Sequence, residues 1–179
     1  MEFLPNNPFD EIIENLYLGD YDASLDIPKL KEKGIKKVLT ISDYKNGPKY
    51  EPGEFIHKRI DITDYGIENI IQYFGECLKF ILGEEKILVH CMAGASRSAT
   101  IVIAYLMWIK RWKFNEALAF AKKKRPIVFP NDGFKEQLKM FEKLLEDNDY
   151  DIDKINFKVI NWVPPQYLID AYNLYKSIL

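Results

Sequence analysis

Residues 89–107 read VHCMAGASRSATIVIAYLM, and they gather what a sulfur nucleophile beside an anion site requires. An apolar strand runs into His90 and Cys91. Small residues follow, then Arg97, Ser98 and a long apolar helix. A thiol attacks as its anion, and an ordinary cysteine is mostly protonated at neutral pH. Here Cys91 stands at the end of a strand and at the mouth of a helix N-terminus. The unpaired N–H groups of residues 92–97 and the helix dipole favour negative charge at that point. Arg97 adds a full positive charge, and its planar fork can hold two phosphate oxygens, which lysine cannot do. Ala93, Gly94 and Ala95 are small enough for the backbone to curl close to those oxygens. The plainer alternative makes Cys91 a buried hydrophobe and Arg97 a helix-start charge. The clustering of these residues between a buried strand and a buried helix favours phosphoryl transfer through a thiolate.

Such a loop needs a frame, and the surrounding pattern supplies one. Residues 12–18 read as a first strand ending near Gly19, and residues 25–33 as a short helix closed by Gly34. Residues 36–42 (KKVLTIS) are a buried strand. Residues 55–62 alternate, with Ile56, Ile60 and Ile62 inward and His57, Arg59 and Asp61 outward. Ile67, Ile70, Ile71, Phe74, Leu78 and Ile81 recur at helical spacing. Residues 87–89 form a short apolar strand, and residues 98–110 a helix apolar on nearly every side. Two helices follow, at 115–124 and 132–146, the first stopped by Arg125-Pro126. Residues 146–153 read as a solvated acidic joint, 157–162 as a short strand and 165–178 as a Pro-opened helix. Strands alternating with helices predict an α/β fold, a mostly parallel central sheet flanked by helices.

Bulk properties narrow the function. With 25 Lys and Arg against 27 Asp and Glu, the charge is mixed, and no nucleic-acid footprint is expected. Cys77 and Cys91 are too few for a disulfide framework and fit a reducing compartment, cytoplasmic or nuclear. The opening MEFLPNNPFDEI has neither a basic n-region nor an apolar h-region, so no secretory signal is expected. Nor is a membrane anchor: Glu2 excludes myristoylation and the apolar run at 101–109 is too short to span a bilayer.

VHCMAGASRSAT resembles the signature of the dual-specificity protein phosphatases, within the cysteine-dependent tyrosine phosphatase superfamily. RPIVFPNDGFKEQL (residues 125–138) resembles the segment that follows it, and NLYLGD (residues 15–20) the opening strand. The likeness runs from about residue 15 to 145. It implies a phosphotyrosine-phosphatase-like fold with a catalytic domain at 1–148 and an extension, a short strand plus a helix, at 149–179. It implies Cys91 as nucleophile, Arg97 as phosphate clamp, and Met92, Ala93, Gly94, Ala95 and Ser96 as the rest of the substrate loop. Ser98 would stabilise the departing thiolate and His90 would brace the loop. Asn131 would hold the loop's shape, or cap the following helix. No metal and no cofactor is implied.

The family places its proton donor just after the strand that precedes the long helix. Asp61 and Asp64 both fall there, and Asp64 is preferred for its loop position. Phosphoinositide members commonly carry extra cations in the loop; Met92 and Ala95 are neutral, which favours phosphorylated protein substrates. The short domain leaves no room for a deep phosphotyrosine slot, so a shallow cleft should admit phosphoserine and phosphothreonine as well. The small atypical members are the nearest in kind. The rival classes are a phosphoprotein-binding module, which usually lacks the Cys or Arg, and a rhodanese-like sulfurtransferase, which lacks the Arg-Ser pair.

Other residues take plainer readings. Cys77 belongs to the core, with a peroxide-induced disulfide to Cys91 as the alternative. His57 is a surface strand residue. Residues 122–125 are a solvated helix end. Leu168, Ala171, Tyr172, Tyr175 and Leu179 form an apolar stripe that should cover the domain's own flank rather than a second subunit, so a monomer is expected.

Overall fold

The computed structural model describes residues 7–178. The first half of the opening segment read for targeting signals, residues 1–6, and Leu179 of the C-terminal stripe lie outside them. Five strands form one sheet in the order β1-β2-β5-β3-β4. They are β1 (Phe9–Ile13), β2 (Leu16–Gly19), β3 (Lys37–Ile41), β4 (Ile56–Ile60) and β5 (Ile87–His90). Only the β1–β2 pair is antiparallel. β3 and β5 are buried along their whole length, the pattern of parallel strands covered on both faces.

One face carries the helices α1 (Tyr21–Leu25) and α2 (Ile27–Glu32) over Tyr17, Leu30, Val38 and Leu88. The other carries α3 (Phe74–Ile81), α4 (Arg97–Lys110), α5 (Phe114–Lys124) and α6 (Asp132–Asp147). Helix α4 is buried from Arg97 to Met107 and sits in the middle of the main core. A helix that is apolar all round can only occupy such a place. Phe74 and Phe141 meet edge to face beneath it, 5.1 Å apart.

Three local readings need correction, and one helix needs adding. The single strand at 12–18 is a hairpin: Asn15 takes φ +66°, which Asn tolerates, and reverses the chain between β1 and β2. The helix expected at 25–33 is α2, capped by Asp26 and opened by Pro28, and the separate short helix before it, α1, was not expected. Ile56 is 53% exposed, since β4 is an edge strand and only its far end is covered. The strand expected at 157–162 is a 3-10 turn over Phe157–Val159, which drops Phe157 into the core beside Phe141.

The acidic joint is anchored too. The Trp108 indole donates to Tyr150 O at 3.0 Å, and Ile152 is buried. Helix α7 (Gln166–Ile178) then lies on this domain's own flank, where Tyr172 and Tyr175 meet Tyr65. Among the described residues no helix is long and apolar enough to cross a membrane.

Candidate active site

The C-terminal ends of the parallel strands set the site, and β5 delivers its first residue. Leu88 and Val89 are fully buried, so His90 and Cys91 emerge from a rigid strand flanked by β2 and β3. Cys91 is 2% exposed, and the Ser98 hydroxyl donates to its Sγ at 3.1 Å. Residues 92–96 then wrap to the N-terminus of α4. Gly94 takes φ +65° and lies against the Gly19 carbonyl so closely that a Cβ would collide with it.

Arg97 opens α4 and is 6% exposed. Its Nη1 donates to Asp43 Oδ1 at 2.8 Å and to Ile62 O at 3.2 Å. Its Nε is buried with no hydrogen-bond partner among the described residues. The nearest carboxylate oxygen, Asp64 Oδ2, is 3.7 Å away. One edge of the guanidinium is thus braced and the other carries a buried donor without an acceptor. Leaving such a donor unpaired costs about 1–3 kcal/mol, which a bound oxyanion would recover.

Of the two candidate acids, Asp64 joins the loop. Its Oδ1 accepts from Ser96 Oγ at 2.6 Å and from Asn131 Nδ2 at 2.9 Å. With Oδ1 taken twice, Oδ2 is the oxygen able to carry a proton. Asp61 instead pairs with Arg59 at 2.6 Å, and its side chain is 73% exposed. Asn131 makes hydrogen bonds that suit both readings the sequence left open. Its Oδ1 caps α6 by accepting from Phe134 N at 2.9 Å, while its amide reaches Asp64. Its backbone N–H also donates to Ser96 Oγ at 3.1 Å.

His90 is held behind the loop. Nδ1 lies 3.3 Å from Cys91 O, and Nε2 lies 2.8 Å from Thr40 Oγ1, which also bonds His57 Nε2 at 2.8 Å. Burial pushes the His90 pKa down to about 4, so the ring is neutral at physiological pH. Burial also raises the Cys77 thiol, which sits in the core on α3.

Sequence reasoning missed the loop's outer brace. Arg125, read as part of a solvated helix end, is 3% exposed. It donates to Gly94 O at 3.1 Å and Ala93 O at 3.3 Å, and pairs with Asp10 Oδ2 at 2.7 Å. Turning those carbonyls outward leaves the amide N–H groups of the loop free to face inward. The cue was Pro126: it forces Arg125 out of helical geometry and away from the lysine face. Asp43 and Thr40 were missed as well, and no local pattern marks them.

The arrangement is a thiol, a tight loop leading to a braced guanidinium, and a carboxyl tied to that loop. Residues 16–144 match the family model described as dual specificity phosphatase, catalytic domain. The chain is 44% identical over 137 residues to MAP kinase phosphatase with leucine-rich repeats protein 1 of Dictyostelium discoideum, covering 75% of this chain and 16% of that protein. It is 37% identical over 142 residues to dual specificity protein phosphatase 1 of Arabidopsis thaliana, covering 77% and 71%. The crystal structure of human tyrosine phosphatase-like serine/threonine/tyrosine-interacting protein superposes with a TM-score of 0.74 at 33% identity, covering 77% of this chain and 97% of that one. The chain spans from 16% to 33% of the length of the first curated relatives it matches. A match across residues 16–144, most of the chain, places this protein in the dual specificity phosphatase catalytic-domain family.

Proposed function

We propose that the chain is a cysteine-dependent protein phosphatase acting on phosphotyrosine and on phosphoserine or phosphothreonine. The observation that carries this reading is the buried Nε of Arg97, which has no hydrogen-bond acceptor among the described residues, at the loop that Cys91 begins. A phosphoryl group is the ligand for which such a donor and such a loop are built.

The steps follow from the atoms in place. The Cys91 thiolate attacks phosphorus as the ester P–O bond breaks, and the loop N–H groups and Arg97 hold the three equatorial oxygens. Asp64 passes its Oδ2 proton to the leaving oxygen. Asp64, now a carboxylate, takes a proton from water as that water attacks the phosphocysteine. The S–P bond breaks, and Ser98 donates its hydrogen bond to the thiolate that leaves. His90, Asn131 and Arg125 hold the parts in place.

Met92 is 41% exposed at the rim and, like Ala95, brings no second cation for further phosphates. That favours phosphoproteins over phosphoinositides. The Dictyostelium relatives are named MAP kinase phosphatases, which puts a phosphorylated kinase first among substrates to try. We place the catalytic unit at 1–148, as a monomer, in a reducing compartment of cytoplasm or nucleus.

Cys91→Ser tests the reading. Turnover of phosphotyrosine and phosphothreonine peptides should fall at least about 10⁴-fold, while the variant still captures the phosphopeptide. A variant that keeps substantial turnover overturns it.

A further inference from the structure

Residues 145–178 lie beyond the family match, and they fold back onto the segment that carries Asp64. Tyr65 and Gly66 follow Asp64 directly. The Trp162 indole donates to Gly66 O at 3.0 Å, and Trp162 is 9% exposed. Asn69 donates to Ile160 O at 2.9 Å. The Tyr65 ring is met edge-on by Tyr172, with centroids 5.0 Å apart, and flanked by Tyr175 at 5.5 Å. Leu168 packs against Gly66 on the same side. From the other side α6 presses so close that a Cβ on Gly133 would run into the Gly66 carbonyl.

We propose that the C-terminal extension is a positioning element for the proton donor, with Trp162, Leu168 and Tyr172 fixing Tyr65 and Gly66 so that Asp64 is presented over the loop. The inference rests on reading Asp64 as the general acid. The bonds from Ser96 and Asn131 act on the Asp64 side chain. Its backbone is set by its neighbours, and those neighbours are clamped between α6 and the extension. A displacement of about 1 Å in such a group can cost about 10²-fold in rate.

The signature of a displaced acid is selective. A leaving group that departs readily needs little protonation, whereas a poor one needs the acid fully. An extension that only stabilised the fold would lower both rates equally. The test uses the full chain as Trp162→Phe, as Leu168→Ala with Tyr172→Ala, and as Asp64→Asn. Each is assayed on p-nitrophenyl phosphate and on phenyl phosphate, whose phenol titrates near ~10 as tyrosine does. The double variant should lose about tenfold in kcat/KM, which reports the leaving-group step alone, on phenyl phosphate and less than about threefold on p-nitrophenyl phosphate. Trp162→Phe keeps the ring in its pocket and removes only the N–H; its bias should be smaller but of the same sign. Asp64→Asn should show the largest bias. Equal losses on the two substrates, or none, in both extension variants overturn the inference. Absence of bias in Asp64→Asn overturns the acid assignment instead.

Discussion

Acidification should destabilise this fold through His90, by an amount that its surroundings define. His90 is 1% exposed, and burial lowers its pKa from 6.5 to about 4. Cys91 O can only accept, so Nδ1 carries the ring proton and Nε2 accepts from Thr40 Oγ1. Thr40 in turn accepts from His57 Nε2. A second proton on His90 would force the Thr40 hydroxyl hydrogen away from Nε2 within a site that is 1% exposed at Thr40. The unfolded chain has no such restriction and takes up its proton near pH ~6.5. Below that pH the unfolded state binds a proton that the folded state refuses, so stability falls as pH falls. The contribution is complete above about pH 6.5, and its loss ends near the folded value of about 4. At about 1.4 kcal/mol per pH unit, the loss is about 2 kcal/mol at pH 5 and about 3 kcal/mol at pH 4. Urea midpoints at pH 8, 6.5 and 5 measure it, with His90→Asn as the reference because its amide does not titrate. The wild type should lose about 2 kcal/mol more than the variant between pH 8 and 5. Parallel losses in the two proteins would refute the argument.

Three further outcomes are expected. Arg125→Lys keeps the charge but cannot reach Asp10, Ala93 O and Gly94 O together; it should destabilise the chain by about 2–4 kcal/mol, and an unchanged urea midpoint would contradict the brace. Asn131→Ala removes both the α6 cap and the tether on Asp64, so it should cost about 1 kcal/mol and lower kcat about tenfold at unchanged KM in steady-state assays. Cys77 is fully buried and its thiol is raised by that burial, so iodoacetamide at neutral pH should label Cys91 alone in the native protein; mass mapping that finds Cys77 modified first would show otherwise.

What the sequence made legible was contiguous. Residues 89–107 hold strand, loop and helix in a single run, so Cys91 and Arg97 could be read together from types and spacing, and the structure holds both at the loop with Ser98 bonded to Cys91. Asp64 was placed by where it follows a strand, and Asp61 sits too close by to be separated from it by spacing alone. What stayed hidden was brought together over distance. Arg125 meets Gly94 across 31 positions and Asp10 across 115, and the lysines before it give it the look of a solvated end. Thr40 joins His90 across 50 positions from the next strand, where nothing in KKVLTIS sets that hydroxyl apart. The errors in the fold have a similar origin. Apolar spacing at 12–18 and at 157–162 reports burial, and burial alone does not distinguish a strand from a hairpin or a turn. Asn15 was the local sign of the hairpin, and it acts through one backbone dihedral.

Rapid acid quench during turnover of a phosphopeptide, followed by peptide mapping, tests the central claim most directly. Phosphate should be found on the peptide containing Cys91, bound to sulfur, and should be absent from Cys91→Ser. Turnover with phosphate found on Ser98, or on no residue of this loop, would contradict the account.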